Sequence, residues 1–231
     1  METATTNCSV ALSKDGDVIA LKEDNSKGYS HAEKLHVFID EILKENNFEI
    51  DDLDAIAISK GPGSYTGLRI GVSAAKGLCF AKDIPLISVP ILTALAKQVT
   101  PNKGDQIIPM LDARRMEVYS AVFDSAFNQI RETKAQVLSE DSFQEELAKG
   151  KVYFIGNGVA KFREICSQQN AEFIEERLPS AKEMGQIAYD KYKISDIEDV
   201  AYFEPYYLKD LLYLLWGIFF HFQSSVNIHL D

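Results

Sequence analysis

The chain has 231 residues, 46% of them hydrophobic, enough for a substantial core in one large domain or two small ones. Its 24 Lys and Arg against 35 Asp and Glu give a net charge of −11, which argues against this chain alone gripping RNA, because nucleic-acid affinity is dominated by basic groups that neutralise phosphates. Cys8, Cys79 and Cys166 are odd in number, far apart and in no CxxC arrangement, which fits reduced cytoplasmic thiols better than a disulfide framework or a zinc site.

The first residues carry neither a basic flank nor an apolar core, so no signal peptide is expected. Residues 3–12 and 18–21 read as two strands of a hairpin, with Asp15-Gly16 as the turn between them. Ser30-His31-Ala32-Glu33 has the spacing of a capping box, and Leu35, Phe38, Ile39 and Ile42 follow at helical intervals. This amphipathic helix is expected to end near Asn46-Asn47, residues that tolerate the left-handed region. His31 and His36 are five apart and do not share a face as an i, i+4 pair would, which favours surface or packing roles over metal ligation.

The most distinctive stretch is Lys60-Gly61-Pro62-Gly63-Ser64-Tyr65-Thr66-Gly67-Leu68-Arg69-Ile70-Gly71. It follows a short apolar strand at 55–58 and precedes a proline-free helix at 68–81. Three glycines and a proline within seven residues force a turn, and Gly67, Gly71 and Ala75 fall on one helical face where another backbone can come close. A glycine turn feeding a helix N-terminus can hold a phosphate. The lysine and serine spacing of a P-loop is missing, however, and so is GxGxxG, which leaves close packing as the competing reading.

Residues 86–95 read as a strand followed by a helix, and 106–112 as another strand. Asp112 precedes Ala121 by nine residues as Glu2 precedes Ala11, a faint internal repeat expected if two halves each open on an acid-tipped hairpin. Arg114 and Arg115 could bind an anion or carboxylates of a partner, or lie in a solvated turn paired with Glu117. Residues 152–155 lead through Gly156-Asn157-Gly158 into a helix to about Cys166, and Ser180-Ala181-Lys182-Glu183 is a second capping box before Met184, Ile187 and Ala188.

Three strings carry a resemblance: 2–12 (ETATTNCSVAL), 59–71 (SKGPGSYTGLRIG) and 112–119 (DARRMEVY). In order and over residues 2 to about 209 the chain resembles the bacterial TsaB (YeaZ) family of tRNA threonylcarbamoyladenosine biosynthesis proteins. The resemblance implies an α/β fold of two related actin-like lobes of the sugar kinase and Hsp70 superfamily (ASKHA, ribonuclease H-like), each a mixed sheet with flanking helices. The lobes are expected at 1–100 and 101–209, followed by an atypical apolar tail at 210–231.

What the resemblance implies for function is a non-catalytic, cytoplasmic subunit that binds and activates the transferase TsaD, with the ATPase TsaE joining through that complex. The reaction served is threonylcarbamoyl transfer to the adenosine beside the anticodon, with tRNA contacted only indirectly. No catalytic residue, metal or intrinsic cofactor is implied, ATP and metal being handled by partner subunits, and the isolated chain is expected to dimerise. The partner surface implied is the helix at 30–43 with the one at 68–80, through His31, Leu35, Phe38, Ile42, Leu68, Arg69, Val72 and Lys76. Gly156 and Gly158 fall where the superfamily contacts adenosine, though two glycines equally suit a plain strand-to-helix turn, so nucleotide binding is at most weak.

Two departures stand out. The family's opening acid is usually an aspartate preceded by several strand residues, whereas here it is Glu2 directly after Met1, so the first strand is short or the start is assigned late. The tail after Glu204-Pro205-Tyr206-Tyr207-Leu208-Lys209 runs on through an apolar stretch from Leu211 to Phe222, too short to span a bilayer. TsaD itself carries two histidines four apart that hold its metal, and the corresponding positions here are Ile91 and Leu95, which have no lone pair to offer. The alternative is an enzyme of the same superfamily, ATP-dependent or resembling a metallopeptidase as the historical glycoprotease name suggests; no HExxH supports the latter.

Overall fold

The structure is a computed structural model that describes residues 1–26 and 31–209. Ser30 of the first capping box and the apolar tail at 210–231 lie outside the described residues. The chain begins with an antiparallel hairpin of β1 (Cys8–Lys14) and β2 (Asp17–Asp24). Asp15 and Gly16 both take positive φ at its turn, the conformation that matches the twist of a two-residue hairpin. Helix α1 (His31–Glu45) follows, and Asn47 leaves it at φ 59°, as its side chain permits.

Strand β3 (Ile56–Gly61) enters the glycine loop, α2 (Tyr65–Lys82) crosses over, and β4 (Leu86–Pro90) returns parallel to β3. Helix α2 starts three residues before the expected 68, because the Ser64 hydroxyl accepts the Gly67 N–H at 3.3 Å and caps it. A short helix α3 (Ile91–Ala96) then leads to the second sheet.

That sheet contains β5 (Gln106–Asp112), β6 (Glu117–Asp124), β7 (Gln129–Val137), β8 (Val152–Gly156) and β9 (Ala171–Glu175), in the order β7-β6-β5-β8-β9. Helices α4 (Gln144–Leu147) and α5 (Val159–Arg163) flank it. The expected helix to Cys166 ends as regular helix at Arg163, with Cys166 N–H still bonded to the Phe162 carbonyl at 2.9 Å. β5, buried at nearly every position, lies between antiparallel β6 and parallel β8.

The first half repeats this order with one strand reduced to a stub. The expected strand at 3–12 begins only at Cys8, since residues 3–7 are held as a loop by their own bonds: Ala4 N–H to the Glu2 carboxylate and Asn7 N–H to Thr5 Oγ1. Met1 and Glu2 alone stand between the hairpin and β3. The Met1 amine donates to the Ala57 carbonyl at 2.8 Å, Ser59 N–H donates to the Met1 carbonyl at 3.1 Å, and Glu2 exchanges both backbone bonds with Ser9. The sequence β2-β1-(Met1, Glu2)-β3-β4 therefore mirrors β7-β6-β5-β8-β9. This is the mixed α/β, actin-like pattern expected, parallel on one side of the central strand and antiparallel on the other.

After β9 the chain returns to the first sheet. Ser180 caps a 3-10 turn (Ala181–Glu183) that runs into α6 (Met184–Lys193), which packs on β4, β1 and β2. Beyond it Glu198 bridges to Leu86 and accepts the Ser88 hydroxyl at 2.5 Å, while Val200 and Phe203 pack into the core under α1 and α2. A central cluster, with Leu68, Ile91, Leu95, Leu111, Phe123 and Met184 among its members, joins the two sheets.

Candidate functional site

The glycine loop and the loop after Glu2 are pressed together. Ser64 N–H donates to the Ala4 carbonyl at 2.7 Å. A Cβ on Gly63 would collide with the Ala4 carbonyl, one on Gly67 with the Thr3 carbonyl and one on Gly71 with the Thr3 hydroxyl. The absence of a side chain at those glycines lets the 3–5 loop lie against α2, which is the close-packing reading of the stretch. Of the N-terminal donors of α2, the Ser64 N–H is bonded to the Ala4 carbonyl and the Gly67 N–H to the Ser64 hydroxyl.

Glu2 is fully buried behind this contact. Burial raises its carboxyl to about 7, against the opposing pull of the Ala4 N–H. Its counterpart Asp112 is exposed at the end of β5, where it accepts the Lys161 ammonium at 2.5 Å and the Arg114 N–H at 2.9 Å. Lys161 also bonds the Arg115 carbonyl at 2.5 Å and the Glu117 carbonyl at 3.1 Å. Arg114 and Arg115 sit at positive φ in an exposed turn, and Glu117 pairs with Lys209 instead of with either arginine. Lysines 161 and 209 close this turn from 40 or more residues away, a distance no local spacing reveals.

Gly156 (φ 131°) and Gly158 lie against the β5 backbone: a Cβ on either would meet Met110, and Gly158 N–H donates to the Met110 carbonyl at 3.0 Å. The Asn157 side chain between them accepts the Asp112 N–H at 3.0 Å.

Helices α1 and α2 lie side by side over the first sheet. The residues expected to carry a partner interface on them divide by burial. His31, Leu35, Ile42, Leu68 and Val72 are buried inside the chain, beneath the outer face of the two helices. His31 Nε2 lies 2.7 Å from the Thr5 carbonyl, and burial lowers the ring's basicity while that bond opposes the shift. Phe38 is half-buried in the same core. The reason is that an apolar helical stripe marks the face that needs covering, and here the chain's own sheet covers it.

Arg69 and Lys76 are engaged within the chain as well. Arg69 donates to the Tyr65 hydroxyl with its guanidinium 5.3 Å from the Tyr65 ring, and that ring lies 5.1 Å from Tyr207. Lys76 donates to the carbonyls of Ala201 (3.1 Å) and Phe203 (3.0 Å). Arg69 is nonetheless exposed, and the helices leave further positions open, among them Phe80, 85% exposed, and Val37, 49% exposed, with His36 and Ser73. The sequence does carry a signal for Phe80, because it directly follows the buried Cys79 and so points about 100° away from it around the helix.

Ile91 and Leu95 are completely buried on α3 in the central cluster. Aliphatic and enclosed, they do not fit a metal of the kind held by a histidine pair. Among the described residues no group of three or more His, Cys, Asp or Glu could hold a metal ion, and no helix is long and apolar enough to cross a membrane.

A protein of Haemophilus influenzae described as tRNA threonylcarbamoyladenosine biosynthesis protein TsaB is 30% identical to the chain over 224 residues, 91% of this chain and 92% of that one. The chain belongs to the TsaB family. The Escherichia coli TsaB is 31% identical over 218 residues, 91% of this chain and 93% of its own length. The family model of TsaD, described as tRNA N6-adenosine threonylcarbamoyltransferase, matches residues 26–211. A transferase of that description from Bacillus thuringiensis is 38% identical over 104 residues, covering 38% of this chain and 30% of its own. The fold agrees with solved TsaB-type structures: YeaZ from Pseudomonas aeruginosa superposes with a TM-score of 0.73 at 25% identity, over 90% of this chain and 97% of that one.

Proposed function

We propose that this chain is a non-catalytic subunit in the synthesis of threonylcarbamoyladenosine on tRNA, binding a TsaD transferase and supporting its transfer of the threonylcarbamoyl group to the adenosine next to the anticodon. TsaE joins through that complex, and tRNA is met only indirectly. The observation that carries this reading is the pairing of an actin-like core with aliphatic, fully buried residues at Ile91 and Leu95, the positions at which the resemblance to TsaD implies metal-holding histidines. The net charge of −11 supports the indirect contact with tRNA. The docking face is the outer surface of α1 and α2 around Val37 and Phe80, an exposed apolar pair on adjacent helices.

The test is co-purification with TsaD from the same organism, followed by tRNA modification with TsaE and the enzyme that makes threonylcarbamoyl-adenylate, with and without this chain. Binding, dependence of modification on the chain, and inertness of the chain alone are expected. A TsaD that neither binds it nor needs it would leave only a shared fold.

A further inference from the structure

The hairpin of β5 and β6 ends in a tip at 114–116, closed by the Ala113 N–H on the Glu117 carbonyl at 3.0 Å and the Glu117 N–H on the Arg114 carbonyl at 3.1 Å. Arg114 and Arg115 occupy this tip at φ 70° and 49°. That region of the backbone ordinarily takes glycine or asparagine, so two arginines there give up backbone ease for what their side chains do. Both are exposed, and so is Met116 beside them.

The two carboxylates at the base of the tip are already taken. Asp112 pairs with Lys161 and Glu117 with Lys209, and neither arginine guanidinium has a hydrogen bond or an ion pair among the described residues. The Lys209 ammonium also lies 5.8 Å from the centroid of the Tyr119 ring, and Tyr206, 43% exposed, stands three residues before it. Arg114, Arg115, Lys161 and Lys209 against Asp112 and Glu117 leave this corner positive within a chain of net charge −11.

The backbone donors that would cradle a free phosphate here are spent: the Asp112 N–H on the Asn157 side chain, the Arg114 N–H on Asp112 and the Gly158 N–H on the Met110 carbonyl. What stays open is a pair of guanidiniums, whose planar forks each match a carboxylate through two bonds. Around them are a methionine and tyrosines, and arginine, methionine and tyrosine are the residues enriched where proteins meet proteins. An RNA strand would run on past the corner along a chain of net charge −11, whereas a short acidic segment ends within it.

We propose that the tip at 114–116, with Tyr119 and the Tyr206–Lys209 segment beside it, docks a protein segment that carries two or three carboxylates next to an aromatic or aliphatic side chain. It uses none of the residues of the α1–α2 face, and its test needs no TsaD, so the two assignments stand or fall separately.

The test uses the full chain and a fluorescein-labelled peptide, Gly-Glu-Phe-Glu-Glu-Leu-Gly, read by anisotropy beside an analogue with glutamine for each glutamate and beside labelled octauridylate RNA. The variant is Arg114→Asn with Arg115→Gly, because both new residues suit positive φ. The acidic peptide is expected to bind the parent about tenfold or more tighter than the glutamine analogue, to weaken with salt, and to lose about tenfold or more on the variant. The variant itself should melt at or above the parent, since its turn is relieved. Arg114→Lys with Arg115→Lys keeps the charge without the forks and should bind between the two. A variant that melts well below the parent would make the arginines structural and overturn the proposal. Equal binding of the two peptides, equal binding by parent and variant, or no binding at millimolar peptide would overturn it too. Octauridylate that binds the parent more tightly than the acidic peptide, and is lost on the variant, would overturn it by giving the corner to nucleic acid.

Discussion

The carbonyl of Ala4 accepts the N–H of Ser64 at 2.7 Å, so the loop after the buried Glu2 and the cap of α2 are one structural unit. The glycines around that bond allow the approach, and their replacement should show it. Gly67→Ala drives a methyl into the Thr3 carbonyl and is expected to cost about 2 kcal/mol or more by urea unfolding. Gly77→Ala, on the same helix with open space around it, should instead stabilise by about 0.5–1 kcal/mol.

Partner binding and folding should separate on α2. Phe80→Asp changes an exposed side chain and is expected to leave stability within about 0.5 kcal/mol while abolishing co-elution with TsaD on gel filtration. Val72→Asp, at 4% exposure, places a carboxylate in the core and should lose several kcal/mol of stability. A Phe80→Asp variant that still co-elutes with TsaD would move the docking face elsewhere.

Glu2 and the Met1 amine give the stability curve two opposing slopes. The Glu2 pKa is raised from 4.5 to about 7, so the native state holds a proton the unfolded state has released, and stability falls as pH rises through that window. The Met1 amine is lowered from 8.0 to about 6, so its contribution rises with pH over the corresponding range. Glu2→Gln should remove the first slope and stabilise the protein at pH 8 by on the order of 2–3 kcal/mol, read as a shift in urea midpoint against pH.

The second sheet is anchored by edge-to-face aromatics. Phe154 and Phe162 are fully buried with ring centroids 4.9 Å apart, and Phe143 lies 5.5 and 5.3 Å from them. Phe162→Ala is expected to cost about 3–5 kcal/mol in denaturant. Loss of near-ultraviolet dichroism would accompany it.

Much of this architecture is legible before folding. The apolar runs at 55–58, 86–90, 106–112 and 152–155 are buried in sheets, and Asp15-Gly16 marks the hairpin. β7 and β9 carry no such signal: β7 has exposed Ile130 and Val137 on a polar edge, and β9 is only partly buried. Which residues of α1 and α2 face outward is hidden for a different reason. Helical periodicity identifies an apolar face on α1 and α2 but not what covers it, so Leu35 and Val72 read alike whether they meet a partner or the chain's own β-strands. The lysines at 76, 161 and 209 act on carbonyls far along the chain, and their reach exists only after folding.

The return of α6 and residues 198–203 to the first sheet sets an order of events during synthesis. β5 to β9 and their aromatic core lie between residues 106 and 175, so this sheet has all its strands as soon as that stretch leaves the ribosome. The first sheet, though made earlier, lacks its floor until Met184 and its neighbours emerge, and Lys76 has no carbonyl to hold until Phe203 does. The sheet translated first is therefore covered only after the sheet translated second has all its strands, and in the interval its strand edges are open to chaperones and to one another.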